Sequence, residues 1–147
     1  MKIRELKEEE IDVYLELLKE LDQDAILSLR EAKQLLANIN SYPFYKILVV
    51  DYNDQMAGTF TLIVCDNFGH GGRKFAIVEN VVVHPDFMRR GIGKYMMEKA
   101  VEIATENNCY KLMLSSNEKR TDAHAFYDSL VFKRHGISFM MELITND

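Results

Sequence analysis

The sequence predicts an α/β (α+β) domain built on one mixed sheet, and three observations carry that prediction. Strand-type runs and helical periods alternate along the chain. The run from Ala76 to Val83 is nearly all apolar and β-branched, as in a central strand covered on both faces, and no repeat, low-complexity tract or long linker divides the 147 residues. With 48% hydrophobic residues the chain can bury a core, so residues 1–147 are expected to form a single domain.

Ile3 to Leu6 is a short strand, after which Ile11, Tyr14, Leu15 and Leu18 recur on one helix face. A second helix carries Ile26, Leu29, Ala32, Leu35, Leu36 and Ile39. It must stop before Ser41-Tyr42-Pro43, because proline restricts the residue before it and cannot continue a helix. Tyr45 to Tyr52 and Met56 to Cys65 are β-rich and flank Asn53-Asp54-Gln55, the pattern of a hairpin. The loop from Asp66 to Lys74 holds Gly69, Gly71 and Gly72 beside His70 and Arg73, so it is flexible or needs positive φ at several points. Pro85 ends the strand that closes at Val83. From Gly91 the helical period returns, with Ile92, Met96, Ala100, Ile103 and Ala104 on one side and Lys94, Glu98, Lys99, Glu102 and Glu106 on the other. Asn107-Asn108 stops that helix. Lys111 to Ser115 is then a strand, Asp122 to Leu130 a helix, and Phe132 to Arg134 and Ser138 to Leu143 closing strands around a turn at Gly136.

A net charge of -5 argues against nucleic acid or an anionic membrane as partner, since both need a cationic surface; any anion site must be local. Met1-Lys2-Ile3-Arg4-Glu5 lacks the apolar stretch of a signal peptide, and no window approaches the roughly 18 apolar residues of a membrane span. A soluble, cytoplasmic protein is expected. Cys65 and Cys109 form neither a metal spacing nor a disulfide framework and are read as buried free thiols. His70, His84, His124 and His135 show no zinc-ligand spacing with a carboxylate, so no metal is expected.

The segment Val81-Val82-Val83-His84-Pro85-Asp86-Phe87-Met88-Arg89-Arg90-Gly91-Ile92-Gly93-Lys94 joins a strand end, a glycine turn and a helix start. Free backbone N–H groups, a positive dipole end and two guanidinium groups meet there, which suits a phosphate. The glycines let the backbone approach the anion, and Arg89 or Arg90 can form bidentate bonds. A Walker loop needs Gly-Lys-Ser/Thr after four variable positions, and a dinucleotide fingerprint needs glycine where Met96 stands, so neither pattern is met. A glycine-assisted turn with solvated arginines is the plainer alternative. Glu79 lies in the middle of the apolar strand, where a carboxylate must be paired, as with Arg73, solvated, or carry a raised pKa.

Val81 to Lys94 resembles motif A of the GNAT N-acetyltransferase superfamily, whose Gln/Arg-x-x-Gly-x-Gly/Ala turn holds the coenzyme A pyrophosphate. The glycines match, and Met88 stands where the family usually has Gln or Arg. The resemblance runs from roughly Ala57 to Leu143. Val78-Glu79-Asn80-Val81-Val82-Val83-His84-Pro85 and Asn108-Cys109-Tyr110-Lys111-Leu112 are similar to glucosamine 6-phosphate N-acetyltransferases, and Ser115 to Tyr127 is similar to aminoalkylphosphonate N-acetyltransferases. It implies a GNAT-like fold, a central, mostly antiparallel twisted sheet of about six to seven strands flanked by about four helices. It also implies acetyl-CoA as cosubstrate, a small-molecule amine as acceptor, and a homodimer.

The resemblance further implies individual roles. The cofactor would be held by Val81, Val82 and Val83, by Arg89, Arg90, Gly91, Ile92, Gly93 and Lys94, and by Asn117 and Tyr127. Glu79 would take the proton of the amine, directly or through water, and Tyr127 would protonate the departing thiolate. An alkyl amine of pKa near 10.4 is free base in only about one molecule in 10³ at pH 7, so a proton acceptor is needed. His70 and His124 are candidate substrate contacts, and Arg73, Lys119, Arg120 and His124 are candidates for a phosphate or phosphonate on the acceptor. Solvated loop charges are the alternative for that cluster, and core packing is the alternative for Tyr127. In the family a glycine follows the tyrosine at the position of Val131, so the last helix is expected to end differently here. Two other functions remain open: a peptide or protein N-acetyltransferase, and a non-catalytic acetyl-CoA-binding module.

Overall fold

In the computed structural model, which describes residues 1–23 and 27–143, five strands form one sheet in chain order: β1 (Lys2–Glu5), β2 (Tyr45–Tyr52), β3 (Gln55–Cys65), β4 (Lys74–Val83) and β5 (Cys109–Met113). The first four pair antiparallel, and β5 joins β4 in parallel. A parallel neighbour requires a crossover, which the helix α4 (Ile92–Glu106) supplies. The β2–β3 hairpin turns on Asn53 and Asp54, both left-handed at φ 51 and 61, and this primed turn matches the twist of its strands.

Helices cover both faces of the sheet. On one face α1 (Ile11–Leu18) and α2 (Leu29–Asn40) bury Ile11, Tyr14, Ala32 and Leu36 against Ile47 and Val49. A capping box starts α2, with the Glu31 amide donating to Ser28 Oγ at 3.1 Å and the Ser28 amide donating to the Glu31 carboxylate at 2.9 Å. Of that helix's apolar set, Ile26 lies outside the described residues. Burial pushes the Tyr14 phenol up to about 12, although a hydrogen bond with Thr61 opposes the shift. Arg4 binds Asp51 at 2.6 Å and Glu10 at 2.8 Å, tying β1 to β2 and to the 3-10 turn Glu8–Glu10. On the opposite face α4 buries Ile92, Met96, Met97, Ala100 and Ala104. It packs tightly on Gly58, where a Cβ would stand 3.1 Å from Ile92 Cγ2 and 3.2 Å from Met96 Sδ. The start of α4 is thus seated directly on β3.

The Asp66–Lys74 loop takes positive φ at several points, as expected: His70, Gly71 and Gly72 are left-handed in and around the short turn α3 (Gly69–Gly72). Two expectations need correction. Asn108 takes φ 58 and turns the chain straight into β5, which therefore begins at Cys109, not Lys111, and ends before Ser115. Finally, Phe132 to Arg134 and Ser138 to Leu143 form no strands, so the described sheet has five strands instead of six or seven. Neither segment pairs with a strand among the described residues, and strand composition without a paired neighbour does not make a strand. The two cysteines are free thiols but only half-buried, and burial raises the Cys109 thiol.

The chain resolves into two units, Met1–Leu114 and Ser115–Asp147. The second holds α5 (Thr121–Ser129), whose Asp128 carboxylate accepts from the Arg134 guanidinium at 2.9 Å. Contrary to expectation, α5 leaves by a left-handed residue without a glycine: Val131 takes φ 71. A β-branched residue there costs about 1–2 kcal/mol, of which glycine's looser unfolded state would return about 0.5–1. Val131→Gly is therefore expected to raise Tm by about 2 °C; thermal unfolding checks this, and a lower Tm would contradict it.

Candidate active site

Along β3 two steps, from Thr59 to Thr61, are matched on β4 by three, from Val82 back to Glu79. The extra residue makes a bulge, and Asn80 absorbs it by adopting φ 52. The alternation of β4 breaks there: Ala76 and Val78 are buried, Glu79 and Asn80 are exposed, and Val82 is buried again. Of the options open to a mid-strand carboxylate, solvation is the one observed. Pairing with Arg73 is not formed, because that guanidinium donates to the Cys109 carbonyl at 3.4 Å.

The other edge of β4 is only partly used. β5 pairs with Lys74 to Ile77 and stops at Met113, whereas β4 continues to Val83. From Val78 onward no described strand lies along this side, so the backbone groups of Val81, Val82 and Val83 that point there have no strand partner among the described residues.

Beyond Val83 a 3-10 turn, Pro85–Phe87, is capped by His84, whose Nδ1 accepts from the Asp86 amide at 3.1 Å. Arg89 then takes φ 62 and Gly91 φ 78, and α4 opens. Gly91 is its N-cap, with no side-chain cap and no acidic residue in the first turn. The first amides, those of Ile92, Gly93 and Lys94, have no carbonyl within their own helix, and its dipole adds a positive end. Arg89, Arg90 and Lys94 are exposed around this end, with Lys94 also 3.8 Å from Glu98. The arrangement suits a polyanion, and the side chain of Met88, 58% exposed, contributes nothing polar to it.

His70 and Arg73 sit at the far end of β4. Arg73 precedes Glu79 by six residues, roughly 20 Å of extended strand. The His70 ring stacks on Tyr110 at 4.0 Å, and Lys111 lies 5.3 Å from the same ring.

In the second unit Asn117 organises the approach to α5. Its Oδ1 accepts from the Lys119 amide at 2.9 Å, and its carbonyl accepts from the Arg120 amide at 3.0 Å and lies 2.8 Å from His124 Nε2. Tyr127 is half-buried between Phe126 and Phe132, with ring centroids 5.2 and 5.8 Å away. Burial raises its phenol, partly offset by the charge of Arg120. Sequence reasoning missed Tyr52 and Tyr110, because each meets its partner only through strand pairing, and no local spacing encodes those contacts.

A mixed sheet in which β4 outruns β5, followed by an uncapped glycine-turn helix, suits a long phosphate-bearing ligand. The family described as Acetyltransferase (GNAT) family matches residues 4–132, and the chain belongs to it. It is an enzyme, an acetyl-CoA-dependent N-acetyltransferase. A glucosamine 6-phosphate N-acetyltransferase of Trypanosoma brucei brucei is 30% identical over 148 residues, covering 97% of this chain and 96% of that one. A solved structure from Agrobacterium tumefaciens matches with TM-score 0.92 at 29% identity, over 97% of this chain and 100% of that one. The glucosamine-6-phosphate N-acetyltransferase of Arabidopsis thaliana shares the fold, with TM-score 0.87 at 22% identity over 97% and 98% of the two chains.

A Cβ at Gly91 would meet nothing within 4 Å, so Gly91→Ala tests the left-handed backbone alone. With about 1 kcal/mol of strain to relieve by reshaping the turn, the variant should bind coenzyme A about five-fold more weakly in a calorimetric titration. Unchanged affinity would count against this turn as the coenzyme site.

Proposed function

We propose that the enzyme acetylates the primary amine of a small metabolite bearing a phosphate or phosphonate, by direct transfer from acetyl-CoA, and that residues 1–147 act as one N-acetyltransferase domain. The observation that carries the reading is the exposed Glu79 at the β4 bulge, on the same strand that leads into the uncapped, cation-flanked start of α4. The trypanosomal relative, named for glucosamine 6-phosphate, supports a phosphorylated amine. The family match runs through both units, which supports one domain.

In this reading the amides of Gly91 to Lys94, with Arg89 and Lys94, receive the pyrophosphate, and Arg90 lies in the turn that presents them. The free edge of β4 from Val81 to Val83 bonds the pantetheine arm and polarises the thioester carbonyl, and Asn117 adds a further coenzyme contact. Glu79 takes a proton from the ammonium group, directly or through water. The amine nitrogen then bonds to the carbonyl carbon as the carbon–sulfur bond breaks, the Tyr127 hydroxyl gives its proton to the thiolate, and the second proton leaving the nitrogen passes through solvent to restore the phenol. Burial raises the Tyr127 phenol above its ordinary value, so it is in the acid form at neutral pH. Arg120 and His124 are the candidate contacts to the acceptor, whereas His70 and Arg73, at the far end of β4 from Glu79, are not.

The enzyme is proposed to work in the cytoplasm; its two free thiols and the lack of any described helix long and apolar enough to cross a membrane support this. It is also proposed to be a homodimer, because Ile137, Phe139, Met140, Met141 and Leu143 are 78–90% exposed in one stretch.

Glu79→Gln should lower kcat at pH 7 by about 10²-fold or more, and the deficit should shrink as pH rises toward the pKa of the amine, where free base no longer needs a catalyst. Tyr127→Phe should slow turnover about ten-fold, since a thiolate of pKa near 8.5 is a competent leaving group unaided. In a panel of amines, phosphorylated acceptors should give the highest kcat/KM; equal rates on neutral amines or lysine peptides would remove the phosphate from the reading. Sedimentation velocity should show a dimer at micromolar concentration, and a monomer there would dismiss the homodimer.

A further inference from the structure

Arg90 is exposed, yet its guanidinium is not free in solvent. It lies 5.5 Å from the ring centroid of Tyr52 and 5.8 Å from that of Phe87. The two rings meet edge to face at 5.7 Å, and His84 closes on Phe87 at 5.6 Å. Phe87 is buried. Tyr52 ends β2 and Phe87 closes the 3-10 turn after β4, so both rings are fixed to the sheet.

Arg90 also stands between two left-handed residues, Arg89 at φ 62 and Gly91 at φ 78. Glycine accepts that conformation without cost, but arginine does not, and an unsupported turn would relax away from it. No side chain caps α4, the helix that opens immediately after. Buried Ile92 seats the helix that follows, and the aromatic pair is a contact that reaches the turn itself. A guanidinium over two rings gains from the quadrupole of each, and its flat face suits stacking better than an ammonium would.

We propose that Arg90 is a positioning residue for the coenzyme: clamped on Tyr52 and Phe87, it fixes the Arg89-Arg90-Gly91 turn so that the amides of Ile92, Gly93 and Lys94 stay aimed at the pyrophosphate. The phosphate charge itself is met by those amides, Arg89 and Lys94. This rests on the reading that the turn receives the pyrophosphate, and it reassigns Arg90 from ligand to scaffold. It also gives Tyr52, 38 positions earlier in the chain, a share in coenzyme affinity without any contact with coenzyme.

The test uses the full chain, coenzyme A as calorimetric probe, and acetyl-CoA with one amine for kinetics. Tyr52→Leu and Arg90→Gln should each raise Kd and the KM for acetyl-CoA roughly three- to ten-fold, with kcat at saturation unchanged. Their double variant should be no weaker than the poorer single one, because both remove the same contact. Tyr52→Phe, which keeps the ring, should bind as the parent does. The salt dependence of Kd should run parallel in Arg90→Gln and the parent, because no direct phosphate pair is lost. Additive losses, an unaffected Tyr52→Leu, or a flatter salt dependence in Arg90→Gln would each overturn the proposal and return Arg90 to the phosphate. The last measurement decides even if Tyr52→Leu fails to fold. Amide NMR on the unmodified chain separates the two failures: if the signals of Gly91 to Lys94 do not move on adding coenzyme A, the pyrophosphate reading falls as well.

Discussion

Strand β4 serves two neighbours unequally, and the remaining features depend on that. Against β3 it pairs from Phe75 to Val83; against β5 it pairs only from Lys74 to Ile77. A strand paired on both sides throughout would offer a ligand no backbone, and one left open throughout would be an exposed edge inviting association. β4 is closed at its start and open toward its end. The bulge at Asn80 falls where the closed part gives way to the open part, and it turns Glu79 out of the apolar row. The geometry that frees the backbone also exposes the carboxylate.

The open end is useful only if the helix beyond it is held firmly. That helix is α4, whose first turn is wedged over Gly58, with Ile92 and Met96 buried against the sheet. Its apolar side thus fixes where its polar N-terminus points. Burial of Ile92 keeps the amides of Gly93 and Lys94 in register with the end of β4, while Gly91 and Arg89 bend the chain sharply enough for the helix to begin there. Packing supplies the position, and the backbone supplies the charge.

How far the sequence can be read depends on the range of the interactions involved. Alternation and helical period are local, so the hairpin partners Tyr45 to Tyr52 and Gln55 to Cys65 and the helix from Ile92 to Glu106 are legible almost to the residue. The glycine turn is legible because a left-handed residue next to a helix start leaves a glycine in the sequence. Where the same conformation falls on another residue type, the signal vanishes: nothing in the letters marks Arg89, His70 or Val131 as left-handed, and at Val131 the missing glycine points to a different helix exit. The closing strands mislead for a related reason. Ser138 to Leu143 has strand composition, but composition does not provide the neighbour a strand must pair with. Tyr52 is invisible as a site residue, since its relation to Arg90 exists only once β2 and β4 share a sheet.

The left-handed residues also separate by cause. Asn53 and Asp54 make a hairpin turn and Asn108 ends α4, places where short polar side chains tolerate positive φ and where the need is purely topological. Asn80, His70, Arg89 and Val131 are different. Asn80 makes the bulge beside Glu79, His70 lies in the loop stacked on Tyr110, Arg89 bends the chain into α4, and Val131 ends the helix carrying Tyr127. Topology alone would be met more cheaply by glycine at the last three, and the chain uses glycine freely one or two positions away, at Gly71 and Gly91. Keeping a charged or bulky side chain in a strained backbone is economical only where that side chain contributes something glycine cannot. For Arg89 the contribution, on the proposed reading, is a cation at the mouth of the pyrophosphate site in a chain whose net charge is -5, where every local positive charge must be placed and not merely accumulated.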